Sequence, residues 1–260
     1  MNSVKGSRAK IAGILNLTPD SFYSSSRHLH SVDIARAVAR LCNEGADMID
    51  IGACSTRPGS IPVSQQEELH RLMEGMPPVL EAHGNTTLSV DTFRPEIASE
   101  CITRWNVSVI NDISGGCDDM FRTVAESGAT YILTYNQTAE TEILRDMLSF
   151  FGRKLDCLDK AGCDKVIIDP GFGFGKSIEQ NYQILANLTL LKQFGCPIMA
   201  GVSRKSMAYE LLGITPEDSL EATVALNTLA MAGGAEWLRV HDVKAAVQAS
   251  LIFSAYSNNK

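Results

Sequence analysis

The sequence predicts an alternating α/β fold of eight strand–helix units, the count of a (β/α)8 barrel. Three observations carry this. Short apolar runs recur along the chain, and each is followed by an amphipathic, helix-like stretch. Glycines stand between the helical stretches and the next run, where C-terminal caps belong. The chain has 260 residues, close to the length such a barrel takes. An open, doubly wound sheet shows the same alternation and stays as the alternative at this stage. Both architectures place a functional site at the C-terminal ends of the strands.

Taken in order, the run Lys10–Leu15 precedes the amphipathic stretch Ser31–Asn43, which ends ahead of Gly45. Met48–Ile51 precedes Gln65–Glu81 and Gly84, and Thr87–Val90 precedes Pro95–Thr103. Val107–Asn111 is followed by Met120–Glu126 and Gly128, and Thr130–Leu133 by Leu144–Lys160 and Gly162. Lys165–Ile168 leads to Gln180–Lys192 and Gly195. Pro197–Val202 leads to Glu217–Met231 and Gly233–Gly234. The latter helix opens on Thr215, Pro216 and Asp218, which read as an N-cap, an N1 proline and the acid of a capping box. Trp237–Val240 and Val243–Phe253 complete the set. Nothing resembling a linker divides residues 1–260, so a single domain is expected.

Composition narrows the function class. The chain is 45% hydrophobic and 20% charged, in the range of soluble globular proteins. A net charge of -7 gives no overall positive field for nucleic acid or acidic membranes. The segment Met1–Lys10 has no apolar core of a signal peptide, and no apolar run nears the roughly 20 residues a membrane helix needs. A cytoplasmic protein is expected. Seven scattered cysteines, none in a C-x-x-C pair, read as free thiols rather than a zinc site.

Polar groups collect where the apolar runs stop. Asn16, Asp91, Asn111, Asp112 and Asp169 close or follow strands, and Lys205 follows the seventh. Arg239 and His241 stand two apart at the eighth, on the same side of a strand. The second strand runs into Ser55-Thr56-Arg57-Pro58-Gly59. Carboxylates and an amide at strand ends suit a flat heterocycle with several N–H donors and ring acceptors. Arg57, Arg239 and His241 suit an anion such as phosphate. Gly171 to Ser177 looks like a phosphate loop, but Pro170 stands where its first glycine is needed and Lys176 breaks a dinucleotide fingerprint. Ser203 and Ser206 with His241 lack a nucleophile elbow. The other four histidines read as surface residues.

Five blocks carry a family resemblance. They are Ile14-Leu15-Asn16-Leu17-Thr18-Pro19-Asp20-Ser21-Phe22, Ser55 to Gly59, Asp169-Pro170-Gly171-Phe172-Gly173-Phe174-Gly175-Lys176, Ser203-Arg204-Lys205-Ser206 and Arg239-Val240-His241-Asp242-Val243. In order and spacing they resemble the signatures of dihydropteroate synthases. The resemblance implies a (β/α)8 barrel, usually homodimeric. It implies a transferase of folate biosynthesis and sulfonamide target, which condenses 6-hydroxymethyl-7,8-dihydropterin pyrophosphate with p-aminobenzoate and uses Mg2+. It implies that Asp91, Asn111, Asp169 and Lys205 hold the pterin. Asn16, Arg57, Arg239 and His241 would hold pyrophosphate, with Asn16 also reaching Mg2+. Thr56, Pro58, Phe174, Lys205 and Ser206 would form the p-aminobenzoate pocket. Lys205, Asp91, Arg57, Arg239 and His241 would carry the chemistry. Between Arg204 and Lys205 the residues alone do not choose the one that points in; the resemblance favours Lys205.

The chain departs from that pattern at Gly52-Ala53-Cys54, where Gly-Gly-Glu is usual, and at Thr134-Tyr135-Asn136, where Met-His-Met is usual. It departs again at Tyr23-Ser24-Ser25-Ser26, where Ser-Asp-Gly-Gly is usual. Two alternatives compete. A pterin-binding methyltransferase would share the acidic pocket but not Arg57 in its loop or the Ser-Arg-Lys-Ser block. A non-catalytic pterin binder would not need both Asn16 and the anion clamp.

Overall fold

Eight parallel strands run in chain order: β1 (Lys10–Asn16), β2 (Met48–Gly52), β3 (Thr87–Asp91), β4 (Val109–Asp112), β5 (Thr130–Thr134), β6 (Val166–Asp169), β7 (Met199–Ala200) and β8 (Trp237–Val240). They pair in the order β6-β5-β4-β3-β2-β1-β8-β7. A parallel bridge between Ile168 and Ile198 joins the two remaining edges. There the Ile168 N–H donates to the Pro197 carbonyl at 2.9 Å. The sheet is therefore closed into a barrel, which decides against the open sheet. The structure is a computed structural model, and it describes residues 8–17, 27–54, 63–138 and 142–259.

Side-chain parity along the strands organises the molecule. Ile49, Ile51, Val90, Ile110, Tyr131, Leu133 and Ile168 belong to the large core between barrel and helices. Their neighbours Ala12, Met48, Val109, Ile132, Ile167 and Met199 form a separate, smaller cluster inside the barrel. Burial of this inner layer makes the barrel a packed core and not a pore.

Outside lie α1 (Arg27–Asn43), α2 (Gln65–Ala82), α3 (Pro95–Trp105), α4 (Asp118–Ser127), α5 (Ile143–Ala161), α6 (Ile178–Ala186), α7 (Ser206–Leu212), α8 (Leu220–Ala232) and α9 (Val243–Ser257). Gly128 and Gly162 end α4 and α5 in the left-handed conformation, as the punctuation predicts. Three details differ from expectation. The stretch Gln180–Lys192 is two elements, α6 and a 3-10 helix over Leu188–Phe194, separated at Asn187. Thr215 and Asp218 do exchange capping hydrogen bonds, at 2.9 and 3.3 Å, but they close a turn of their own. The helix α8 starts later, after Ser219. The short helix α7 is an addition, with only Met207 and Ala208 buried. Among the described residues no helix is long and apolar enough to cross a membrane.

Candidate active site

The strand parity that buries Met48 inside the barrel also points Asp50 inward, because the two are separated by one residue. Asp50 is fully buried. Its Oδ1 accepts from Ser89 Oγ at 2.6 Å. Its Oδ2 accepts from Asn111 Nδ2 at 2.9 Å and from Arg239 Nε at 2.6 Å. Arg239 Nη2 reaches Asp91 Oδ2 at 2.9 Å. Groups from β2, β3, β4 and β8 thus form one charge-assisted network across the barrel. Burial raises Asp91 to about 7, with Arg239 opposing the rise and Asp50 adding to it. Two carboxylates share one guanidinium here. Burial works against the Arg239 charge, but Asp50 and Asp91 outweigh it and hold its pKa above the usual value.

The opposite side of the mouth is built from loops. Asp169 ends β6, and its Oδ1 accepts from the Gly171 N–H at 2.7 Å. Lys205 Nζ donates to the Phe172 carbonyl and lies 4.9 Å from the centre of the Phe174 ring. Burial lowers Lys205 to about 8, with Asp169 acting in the other direction. Burial raises Asp169, with Lys205 opposing. Position 201, inward on the strand line of β7, is glycine. A β-carbon there would stand 3.7 Å from both Asp169 Oδ2 and Lys205 Nζ and 3.8 Å from Arg239 Cβ. A side chain at position 201 would therefore pack directly against the Asp169 carboxylate and the Lys205 ammonium, with the stem of Arg239 alongside.

Arg204 and Lys205 separate cleanly. Arg204 turns away, forks onto Asp242 with two bonds of 2.9 Å, and donates to the Pro216 and Glu217 carbonyls. It ties the β7 loop to the loops before α8 and after β8, leaving Lys205 to face Asp169. Ser203 Oγ meets His241 twice at 3.2 Å, once at the backbone N–H and once at ring Nδ1.

A model of the pterin binding enzyme family matches residues 12–241. Dihydropteroate synthase of Escherichia coli K12 is 34% identical over 96% of this chain and 92% of its own. The crystal structure of dihydropteroate synthase from Clostridium difficile in the presence of pteroic acid superposes with a TM-score of 0.91. It is 32% identical and is matched over 99% of this chain and all of that one, 100%. That of Xanthomonas albilineans with 4-aminobenzoic acid has a TM-score of 0.88 and 36% identity, covering 96% and 93%. The chain belongs to the dihydropteroate synthase family. It is accordingly a transferase of folate biosynthesis, and the barrel is the family's own.

Within this dihydropteroate synthase fold, the described part of the mouth holds Asn16, Asp91, Asn111, Asp169, Phe174, Lys205, Ser206, Arg239 and His241. Thr56, Arg57 and Pro58 lie outside the described residues. Asp112 does not join the site. One residue past Asn111, it faces outward and accepts from Tyr131 OH at 2.8 Å and the Ser114 N–H at 2.7 Å. Two buried ionisable residues near the site escape sequence reasoning. Asp50 sits inside an apolar run, and a carboxylate in such a run is itself the signal, since an isolated buried charge is costly. Lys176 ends the glycine-rich loop and is only 7% exposed. Of the remaining histidines, His83 is half-buried, caps α2 and meets the Thr86 carbonyl at 2.9 Å. A cavity of about 770 Å³ opens at the opposite mouth, among Lys10, Asp47, Lys165 and Trp237. It lies at the N-terminal strand ends, where barrel residues serve stability.

Proposed function

We propose that this chain joins 6-hydroxymethyl-7,8-dihydropterin pyrophosphate to p-aminobenzoate, giving 7,8-dihydropteroate and pyrophosphate. The observation that carries the reading is the grouping of the Asp169 carboxylate and the Lys205 ammonium around Gly201, with the stem of Arg239 beside them. Asp91 and Asn111 line the neighbouring strand ends, paired in register on β3 and β4. Asp169 accepts from the guanidine-like edge of the ring, and Lys205 donates to a ring acceptor. Asn111 gives its amide N–H to Asp50, which leaves its carbonyl oxygen to face ligand. Phe174 and Ser206 flank Lys205, and with Thr56 and Pro58 they form the pocket for p-aminobenzoate. A sulfonamide would compete there.

The chemistry asks little covalent work of the protein. The C–O bond to pyrophosphate breaks as the ring pushes electrons toward its exocyclic methylene. The aromatic amine forms the new C–N bond and releases a proton to solvent. No side chain is alkylated or phosphorylated on the way. Stabilising the departing anion is the main task. Arg57, Arg239, His241 and Asn16 serve that end. Arg239 is also the counter-ion of Asp50 and Asp91, so its charge acts on both substrate ends.

Magnesium fits this donor set. Mg2+ commonly takes one or two protein oxygens and completes its shell with water and substrate phosphates. Asn16 supplies such an amide oxygen, 3.4 Å from where a β-carbon on Gly52 would stand. Among the described residues no group of three His, Cys, Asp or Glu is gathered as a separate metal cage. Bound by Asn16 and diphosphate oxygens, the ion would neutralise the leaving group.

The whole chain works as one domain in the cytoplasm, without nucleic acid or membrane partners. It assembles as a homodimer through α7, α8 and α9. Support comes from their exposed apolar side chains, Leu211, Leu212, Leu229, Leu251, Ile252 and Tyr256. Light scattering tests the dimer. Pyrophosphate release from the pterin pyrophosphate, with and without p-aminobenzoate, tests the reaction. Release dependent on the amine is expected, whereas release indifferent to it means hydrolysis and contradicts the reading.

A further inference from the structure

Lys176 presents a buried charge that the reaction does not explain. The residue is 7% exposed. Burial lowers its pKa from 10.5 to about 7, with Lys205 pushing the same way and Asp169 opposing. Among the described residues no ion pair includes it. Instead Nζ donates to the Tyr135 carbonyl at 3.0 Å and the Gly171 carbonyl at 2.7 Å, and sits 4.7 Å from the centre of the Tyr135 ring. An apolar side chain would be cheaper to bury at such a position.

What it bridges gives the reason. Tyr135 follows β5 and Gly171 follows β6. The two backbones approach so closely that a β-carbon on Gly171 would lie 2.1 Å from the Tyr135 oxygen. Gly171 also has φ +66°, which a side chain rarely adopts. Two carbonyl dipoles turned into one buried space repel, and an amine that donates a hydrogen bond to each offsets that repulsion. The chain then continues in two directions. The N–H of Gly171 aims Asp169 Oδ1. The next carbonyl, that of Phe172, receives Lys205. Two lysines hold consecutive carbonyls of one short segment, and that segment sets the carboxylate between them.

We propose that Lys176 is a positioning residue of the reaction. By bridging the carbonyls of Tyr135 and Gly171, it fixes the Gly171–Phe172 segment that aims Asp169 and receives Lys205. The proposal rests on the reading of Asp169 as a ring-binding group, and it adds a residue that does not itself touch substrate.

The test is a double-mutant cycle on affinity for 6-hydroxymethylpterin, measured by calorimetry on the full chain. Parent, Lys176→Met, Asp169→Asn and the double variant are compared. Lys176→Met should weaken binding at least about tenfold, and the double variant should be no more than about threefold weaker than Asp169→Asn, because residues acting through one another are not additive. A merely structural lysine would not show this coupling. Parental affinity in Lys176→Met, or losses that multiply in full, overturns the proposal. Parental affinity in Asp169→Asn overturns the pocket reading beneath it, and the two failures are told apart by which single variant is silent. Should Lys176→Met fail to fold, Lys176→Gln keeps amide donors for one carbonyl. Run through the same cycle, it should lose about threefold with the same coupling, and no loss contradicts the proposal.

Discussion

The two sides of the barrel mouth are held in different ways. On the β2–β3–β4–β8 side, Asp50, Ser89, Asp91, Asn111 and Arg239 stand on strands and bind one another side chain to side chain. Their geometry follows from strand register. On the β6–β7 side, Asp169 and Lys205 take their positions from loop backbone, through the Gly171 N–H and the Phe172 carbonyl. The first side is rigid, with its groups paired before any ligand arrives. The second side depends on a few peptide units for aim. The difference separates substitutions that unfold from substitutions that disarm.

The largest effect is expected at Asp50. Asp50→Ala strips Ser89, Asn111 and Arg239 of a shared buried partner, and breaking such a pair typically costs about 3–5 kcal/mol. Urea unfolding should show that loss. A loss under about 1 kcal/mol would mean that the strand side relaxes as readily as the loops and that the comparison fails.

Asp169→Asn should act in the other way. An amide can still accept from the Gly171 N–H, so the unfolding midpoint should stay near the parent. Pterin affinity should fall by about 2–4 kcal/mol, as a charge-assisted contact becomes a mismatched one. Calorimetry giving parental affinity removes Asp169 from the site.

Lys205→Arg comes next. The planar fork is larger than an ammonium and differently directed, so kcat/KM should fall at least about tenfold, roughly 1.4 kcal/mol. Arg204→Lys should register instead as a modest loss of stability, since a lysine cannot fork onto Asp242. Steady-state kinetics and melting of both variants sort them. If Arg204→Lys is the one that loses turnover, the assignment of the pair is reversed.

Much of this contrast was legible in the sequence, and the rest had physical reasons to stay hidden. The eight strands announce themselves because a barrel strand buried on both faces is a continuous apolar run. Asp91, Asn111 and Asp169 announce themselves because they stand where those runs stop. Asp50 hides because it stands inside one. Its role appears only when closure of the sheet brings Arg239 across from β8, a separation of 189 residues. Asp112 misleads for the converse reason: its position at a strand end is right but its parity is wrong. Lys176 hides behind a resemblance to a phosphate loop, and its partners are backbone carbonyls, which no residue pattern displays.

The smallest effect is a pH dependence. Lys176 has a folded pKa of about 7 against an ordinary 10.5. A depressed lysine contributes stability above its unfolded pKa and loses it as pH falls toward the folded one. The parent should therefore lose, through this group, about 1 kcal/mol between pH 8 and pH 7 that Lys176→Met does not lose. The melting difference, variant minus parent, should grow across that step as pH falls. A difference independent of pH would mean that Lys176 stays charged in the folded protein throughout this range and that burial does not depress its pKa.

The most direct measurement of the central claim is product formation by the parental protein. Incubated with 6-hydroxymethyl-7,8-dihydropterin pyrophosphate, p-aminobenzoate and Mg2+, it should yield a species with the mass of 7,8-dihydropteroate, in equal amount to pyrophosphate. Pterin binding without that product, under conditions where Asp169→Asn abolishes the binding, would show a pterin-binding barrel that does not join the two substrates.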